Sequence, residues 1–460
     1  MKPIHYFLLL SIALIISCST ITKEDQALIE KMNYSLQTEL LDAWYPRTVD
    51  SINGGFLADF TFDWQPRGRQ NKMVVTQTRQ LWTASEAAAF YDSDEYRKIA
   101  DHAFKFLRDV QWDKEYGGFY TTLNSEGIPG ETSFGGNKMA YGNAFGIYAL
   151  VAYYNLTGNE EALEFAKDVF NWLEKYSHDP VHGGYFNSLP RTGSPLSIGG
   201  MEMAEESGGE VPVLGRMSQK DQNTSIHVLE AFTELYKAWP DELMRTRLQE
   251  MYDLISKTIV TEKGYLTLFL TRDWEPISFR DSSEAIIRRN IYNDHVSYGH
   301  DIETGFLLLE AAHALGQMDE DAIAFSKKMV DHTIENGWDS KNGGIYDQGY
   351  YFKGSDTITV MHDVKVWWSE AEAMNALLLM SKLFPEETKY REYFLKQWEY
   401  IDEFMIDHEH GGWYEEGLDN SPRSATMRKA GDWTVNYHNF RALRNCIQML
   451  RGEHELTGGH

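Results

Sequence analysis

Polar and aromatic residues suited to acid–base chemistry recur at similar points of several predicted helices. Asn223 and His227 are four residues apart and therefore share one helix face, and His300 and Glu303 are three apart. A single pair of this kind has an ordinary explanation as interior polar groups with satisfied hydrogen bonds, whereas six coincident positions indicate one shared site. The six groups are Arg79 with Trp82, Tyr141 with Asn143, Asn223 with His227, His300 with Glu303, Trp367 and Trp368 with Glu372, and Trp433 with His438.

The histidines among these residues are suited to moving protons at neutral pH. An unperturbed imidazole has a pKa of about 6.5, so it serves as a base or an acid near pH 7. His227, His300 and His438 are the candidates, and Glu303 is predicted to hold the tautomer of His300.

A repeated turn motif indicates how the chain positions these side chains. The motif is Asp, three residues, Gly-Gly and an apolar residue, and the paired glycines suit a tight turn with positive φ. Five full copies of the motif and one degenerate copy are too many to have arisen by chance. The full copies begin at Asp50, Asp113, Asp179, Asp339 and Asp407, and the degenerate copy is Lys263 to Leu266.

Two kinds of helix are predicted between successive turns. One kind is apolar on all sides, as in 145–154, 306–315 and 371–380, and is therefore buried. The other is amphipathic and lies outside. Six alternations of inner and outer helices predict an all-α fold, the (α/α)6 barrel, with short β-hairpin-like turns and an inner-type helix at 436–451. Corresponding positions of such a toroid lie around one mouth. The amphipathic segments are 160–175, 241–257, 319–332 and 386–405.

Composition excludes some classes of partner. The 460 residues carry a formal net charge of −26, which argues against nucleic-acid binding and against docking on anionic lipid by a basic face. The 13 Trp, 26 Tyr and 23 Phe provide stacking surfaces for sugars as well as core. Two cysteines give no disulfide framework, and Cys446 is expected to be a buried thiol. We expect a monomer or a weak dimer.

The N-terminus has the features of an export signal. Lys2 precedes an apolar run from Tyr6 to Ile16, which is too short for an ordinary membrane span. The ending Ile-Ile-Ser-Cys18 resembles a bacterial lipobox, in which the cysteine is acylated. We therefore expect a lipoprotein signal peptide at 1–18, a tether and first helix at 19–38, and the barrel at 39–452. The expected location is the bacterial cell envelope, with contact to the membrane only through this anchor.

Four segments resemble the N-acylglucosamine 2-epimerase family, and its cellobiose 2-epimerase branch in particular. They are Asn223-Thr-Ser-Ile-His227-Val-Leu-Glu230-Ala, Ser297-Tyr-Gly-His300-Asp-Ile-Glu303, Lys365-Val-Trp-Trp368-Ser-Glu-Ala-Glu372 and Trp433-Thr-Val-Asn-Tyr-His438-Asn-Phe-Arg441. The resemblance runs from about residue 39 to residue 451. It implies an (α/α)6 barrel that interconverts sugars differing at C2, or isomerises aldose and ketose, without a metal or another cofactor.

The resemblance also implies roles for individual residues. His300 and His438 would be the acid–base pair at C2, with Glu303 supporting His300. His227 and Arg79 would assist ring opening and stabilise the oxygen that becomes charged. The residues lining the sugar sites would be Tyr141, Asn223, Trp368, Glu372 and Trp433.

Two other functions are compatible with the same fold. A glycoside hydrolase or lyase would use paired carboxylates, for which Glu303, Glu372, Asp294 and Asp301 are available. A glycan-binding lipoprotein without catalysis would use the aromatic residues alone. Three histidines at corresponding positions favour proton transfer over both.

Overall fold

The computed structural model describes residues 21–130, 136–193 and 220–457. Twelve long helices in these ranges alternate between an outer and an inner ring. The inner helices are α2 (Val74–Tyr91), α4 (Ala140–Thr157), α6 (Gln222–Ala238), α8 (Tyr298–Ala314), α10 (Trp367–Leu383) and α12 (Tyr437–Arg451). The outer helices are α1 (Lys23–Tyr34), α3 (Asp94–Phe106), α5 (Glu160–Tyr176), α7 (Glu242–Leu254), α9 (Glu320–Asn336) and α11 (Lys389–Tyr400).

The ring is closed by contacts between its first and last helices. Each inner helix packs against the next, and α12 packs against both α2 and α1. Apolar side chains cover all sides of α4, α8 and α10, which explains their burial. The outer helices bury one face and begin at polar caps such as Ser93, Asn159, Asp241 and Asp319. The predicted (α/α)6 barrel is confirmed.

Short antiparallel strands connect neighbouring repeats at one end of the barrel. Within the described ranges, β1 (Lys72–Met73) pairs with β2 (Thr122–Leu123), β3 (Lys138–Met139) with β4 (Ser188–Leu189), and β5 (Lys220–Asp221) with β6 (Phe269–Leu270). β7 (Val296–Ser297) pairs with β8 (Gln348–Tyr350), which also pairs with β9 (Thr359–His362). The first strand of each pair leads directly into an inner helix, so the strands fix where the inner helices begin.

The five full turn motifs form the same structure, as the repeat predicts. In the first, the Asp50 N–H donates to the carbonyl of Gly55, and Gly54 and Gly55 have φ of 80° and 64°. The Asp50 carboxylate accepts backbone N–H groups of the turn and pairs with Lys72 Nζ at 2.6 Å. The corresponding pairs are Lys138 with Asp113, Lys220 with Asp179, Lys365 with Asp339, and Lys429 with Asp407.

The degenerate fourth turn has lost both members of this ion pair. Thr261 stands at the start of the turn, and Val296 begins the strand where the other repeats have lysine. The buried Asp301 accepts the backbone N–H of Leu266 at 2.8 Å. Because the aspartate and the lysine are replaced together, neither is left buried without the other at this turn.

The first outer helix extends further toward the N-terminus than the expected barrel. α1 continues through a π-helical stretch, Ser35–Leu41, to Trp44, so the predicted boundary at residue 39 falls inside one continuous helix. Arg391 Nη2 pairs with Asp25 at 2.6 Å, which ties the start of α1 to α11. Cys446 is buried as expected, whereas Cys18 and the 1–18 segment lie outside the described residues. Among the described helices, none is long and apolar enough to cross a membrane.

Candidate active site

One cavity of about 190 Å³ lies at the barrel end where the inner helices begin. Nine of the ten residues that the sequence proposed for catalysis and sugar binding line its wall. This confirms that side chains hundreds of residues apart converge on one mouth. The lining residues are Arg79, Tyr141, Asn223, His227, His300, Glu303, Trp367, Trp368, Trp433 and His438.

His438 is held by a carboxylate. Its Nδ1 lies 2.7 Å from Glu372 Oε1, and both side chains are buried. An ionised carboxylate accepts the Nδ1 proton and thereby leaves the lone pair on Nε2. Glu372, which the sequence placed among the sugar-binding residues, is therefore a buried partner of His438 rather than part of the cavity wall.

His300 has a different partner from the one predicted. Its Nδ1 lies 2.8 Å from the Oγ of Ser297, which precedes α8. Glu303 does not orient His300: its Oε1 accepts from Arg441 Nη2 at 2.5 Å and lies 3.8 Å from His438 Nδ1. The spacing of three residues places both side chains on one helix face, but Glu303 lies one turn deeper, where the guanidinium of Arg441 reaches it.

His227 and Arg79 also line the cavity. His227 Nδ1 lies 2.9 Å from Glu230 Oε2, and its ring makes an edge contact with Tyr141 at 5.1 Å between centroids. Arg79 donates to the Tyr141 hydroxyl at 2.8 Å and stacks over Phe145. Its Nε has no hydrogen-bond partner within the described part of the chain. Because Arg79 lines the cavity, its guanidinium is available to a negatively charged oxygen there.

Burial determines the protonation of these groups. Burial, reinforced by the nearby His227, lowers the pKa of His300 to about 3, and burial with the charge of Arg79 lowers the pKa of His438 well below its usual value. Burial and the adjacent Glu372 raise the pKa of Glu303 to about 7. Burial raises the pKa of Glu372 to about 6 although Arg441 opposes the shift. Both imidazoles are therefore neutral at pH 7 and can accept a proton.

The lining residues that the sequence assigned to sugar binding differ in exposure. Tyr141 is buried, Asn223 and Trp368 are half-buried, and Trp433 is 42% exposed at the rim. Trp368 lies against both His300 and His438, with ring centroids 4.6 and 5.8 Å apart. An indole in contact with two imidazoles provides a flat surface on which a sugar ring can stack.

Glu303, Glu372 and His438 also lie close enough together to hold a metal ion. The guanidinium of Arg441 already occupies the space between the two carboxylates, since its Nη2 is 2.5 Å from Glu303 and 2.7 Å from Glu372. A fixed positive charge at that point opposes a cation, so the donor set does not suit a metal.

Several residues at the site were not predicted from the sequence. Ser297, Glu230 and Arg441 each pair with a predicted site residue, and Asn143, which was placed at the mouth, instead accepts the backbone N–H of Phe119. Ser297, Glu230 and Arg441 all stand within the segments that carry the family resemblance, and this was the available signal. His332 lies on an outer helix, as predicted, but is buried and lies 3.0 Å from the Tyr351 hydroxyl.

Comparison with known sequences agrees with this geometry. The model of the N-acylglucosamine 2-epimerase family matches residues 54–206 and 211–442. A cellobiose 2-epimerase of Bacteroides fragilis is 31% identical over 93% of this chain and 99% of that protein. A D-mannose isomerase of Marinomonas mediterranea is 24% identical over 89% of this chain and 93% of that protein.

Solved structures give the same assignment. The cellobiose 2-epimerase of Bacillus thermoamylovorans superposes with a TM-score of 0.77 at 26% identity, and the match covers 92% of this chain and 99% of that one. Fold, cavity and sequence therefore agree: the chain belongs to the N-acylglucosamine 2-epimerase family, in the branch that includes the cellobiose 2-epimerases.

Proposed function

We propose that this protein epimerises C2 of the reducing-end sugar of a disaccharide, with His438 and His300 as the proton-transfer pair. The family and its relatives support an isomerase-class carbohydrate epimerase that acts on reducing sugars, and they do not favour the glycosidase alternative. The observation that carries the proposal is the placement of two neutral imidazoles in one cavity, with Trp368 against both.

The chemistry begins with opening of the sugar ring. The C1 hydroxyl loses its proton as the bond between C1 and the ring oxygen breaks, and the ring oxygen gains a proton, which leaves an open-chain aldehyde. His227 is the proposed group for this transfer, because its Nδ1 is held by Glu230 and its Nε2 is left for substrate. The C2–H bond is acidic only in the open-chain form.

Proton transfer at C2 then proceeds through an enediolate. His438 Nε2 removes the C2 proton, and the C–H electron pair moves into a C1–C2 double bond as the carbonyl oxygen becomes negative. Arg79 stabilises that oxygen. His300 takes up a proton from solvent and delivers it to the opposite face of C2, while His438 releases the proton that it removed to solvent; the carbonyl re-forms, and the ring closes with inverted C2. Return of the proton to C1 instead would give a ketose, so the same groups allow isomerisation.

The rim supports a substrate with more than one sugar. Trp433 is exposed at the mouth and lies 6.0 Å from Tyr141 between ring centroids, so its face is available to a second ring outside the cavity. Relatives named as cellobiose 2-epimerases align over nine tenths of the chain or more. We therefore propose that the substrate is a β-linked disaccharide with a free reducing end. That the protein is a monomer or a weak dimer stays a prediction.

Proton NMR in D2O tests this function directly. The protein is incubated separately with cellobiose, mannobiose, mannose and N-acetylglucosamine, and the C2 position is followed. Deuterium at C2 with appearance of the C2 epimer supports the proposal, and faster turnover of the disaccharides supports the assignment of Trp433. New reducing ends would indicate a hydrolase, and shifted resonances without exchange would indicate a binding protein.

We also propose that the chain is held at the cell envelope by a lipid on Cys18. The support is the apolar N-terminal segment, which ends at Ser17-Cys18 like a lipobox. The position of α1 agrees with this, because the outer helices run antiparallel to the inner ones, so that α1 starts at Lys23 at the barrel end opposite the mouth. An anchor there leaves the mouth facing away from the bilayer. Cys18→Ala should move the protein from the membrane fraction to the soluble fraction, and unchanged fractionation would refute the anchor.

A further inference from the structure

Arg441 lies at the centre of a buried charge cluster beneath the cavity. It is 2% exposed and stands one helical turn after the catalytic candidate His438. Its Nη1 donates to Glu230 and to the Tyr437 hydroxyl, and its Nη2 donates to Glu303 and Glu372. One guanidinium therefore contacts three buried carboxylates that come from α6, α8 and α10.

Two of these carboxylates are also the partners of histidines. Glu230 binds Nδ1 of His227 at 2.9 Å, and Glu372 binds Nδ1 of His438 at 2.7 Å. Arg441 thus connects both imidazoles through one carboxylate each. Since every member is buried, no solvent ion replaces the guanidinium as the counter-charge.

The third carboxylate faces the substrate space. Glu303 lines the cavity, and its Oε2 has no hydrogen-bond partner in the described part of the chain. Among the groups that act on this cluster, Arg441 is the cation closest to the carboxylates, and Arg79 is the other. The charged and titratable groups facing the cluster are Arg79 of α2, Tyr141 and Tyr148 of α4, His227 and Glu230 of α6, His300, Glu303 and Glu310 of α8, Glu372 of α10, and Tyr437 and His438 of α12.

We propose that Arg441 is the positioning residue that keeps Glu230 and Glu372 ionised, so that His227 and His438 both carry their proton on Nδ1 and present a basic Nε2 to the sugar. Only the kinetic part of the test rests on the proposed function. A carboxylate can accept the Nδ1 proton, whereas a protonated carboxyl can donate to Nδ1 and force the proton onto Nε2. That tautomer cannot remove a proton from C2.

Loss of the Arg441 guanidinium should favour the protonated form both of the three carboxylates and of His438. Without Arg441 the three carboxylates repel one another and retain protons to higher pH. His438 also loses a neighbouring positive charge, so it becomes protonated at higher pH. Both changes reduce the fraction of enzyme with a free Nε2, and both move the acid side of the pH–rate profile upward.

The test compares Arg441→Met with Arg441→Lys and with a matched control. Met removes the charge at similar length, and Lys keeps the charge but contacts fewer oxygens. Arg444→Met is the control, because Arg444 lies on the same helix and pairs with Glu86 outside the cavity.

We expect Arg441→Met to lose at least about a hundredfold in kcat with little change in KM. Its acid limb should move up by about one pH unit or more, as expected when a buried carboxylate loses its opposite charge. Arg441→Lys should shift the limb less, and Arg444→Met should leave it in place.

A substrate-free measurement separates this inference from the proposed function. In ¹⁵N-histidine-labelled protein, imidazole nitrogen shifts report the tautomer of His227 and His438, assigned with His→Asn variants. The wild type should show Nδ1–H, and Arg441→Met should show Nε2–H or imidazolium at the same pH. An acid limb and tautomers unchanged in Arg441→Met would overturn the inference, whatever the loss of rate. If Arg441→Met does not fold by circular dichroism, Arg441→Gln and Arg441→Lys carry the same comparison.

Discussion

The two imidazoles that flank Trp368 have different partners. His438 is held by the carboxylate of Glu372, and His300 is held by the hydroxyl of Ser297. A carboxylate accepts only and therefore fixes one tautomer, whereas a hydroxyl both donates and accepts and allows either. A carboxylate also stabilises the imidazolium that forms when the ring takes a proton. The difference suits a dedicated base at His438 and a proton donor or acceptor at His300.

Removal of either imidazole should have the largest effect. His438→Asn and His300→Asn should each lower the rate of C2 deuterium exchange by about 10²–10⁴-fold, because each removes a group that transfers a proton. NMR in D2O measures the rate, and circular dichroism checks the fold. His182→Asn is the matched control, since His182 lies at the surface of a turn. Near-normal exchange in both variants would show that the proton pair has been misassigned.

Substitution of Glu372, the partner of His438, should have a larger effect than substitution of Ser297, the partner of His300. Glu372→Gln should lose about 10–100-fold in kcat, because the amide cannot stabilise an imidazolium on His438. Ser297→Ala should lose less than about tenfold, because a backbone carbonyl or water can replace a hydroxyl. Steady-state kinetics on the same sugar measures both. Equal losses would remove the distinction between the two histidines.

The pH dependence should also differ between these variants. Burial raises the pKa of Glu372 to about 6. Above that pH the ionised carboxylate accepts the Nδ1 proton of His438, and below it the protonated carboxyl does not, so kcat/KM should fall as the pH drops through about 6. Ser297→Ala should retain this acid limb, whereas Glu372→Gln should lose or displace it. A pH–rate profile at constant ionic strength measures the limb.

The smallest expected effect concerns stability in acid. Burial lowers the pKa of His300 to about 3, while the unfolded chain titrates near ~6.5. Between these values the unfolded state binds a proton that the folded state does not, so stability falls as the pH drops below about 6.5. From pH 7 to pH 5 the loss is up to about 2 kcal/mol. His300→Asn should remove this contribution, which urea unfolding at the two pH values measures. The same loss in the variant would contradict the assigned burial.

Repetition explains why much of the barrel was predictable. The Asp and Gly-Gly residues recur in five of the six turns, and inner and outer helices alternate six times, so local signals reinforce one another. The starts of the inner helices were less predictable. Polar residues such as Arg79, His227 and Glu303 interrupt the apolar pattern in the second helical turn, where the cavity needs them.

The lysines opposite the turn aspartates were present in the sequence but not recognised. Lys72 and Lys429 stand 22 residues after their partners, whereas Lys220 stands 41 residues after Asp179. The variable spacing hides the repeat from inspection of the chain. The ion pair is evident only when the strand before each inner helix is placed against the preceding turn.

The sequence by itself determined the barrel, its repeat and the residues that meet at one mouth, because these depend on periodicity and on equivalent positions in a ring. Only the tertiary structure decided which groups pair: Ser297 with His300, Glu372 with His438, and Arg441 with three carboxylates. Spacing along a helix fixes the face on which a side chain lies. Its partner depends on side chains that neighbouring helices bring to the same depth, and that depth is set by how the helices pack.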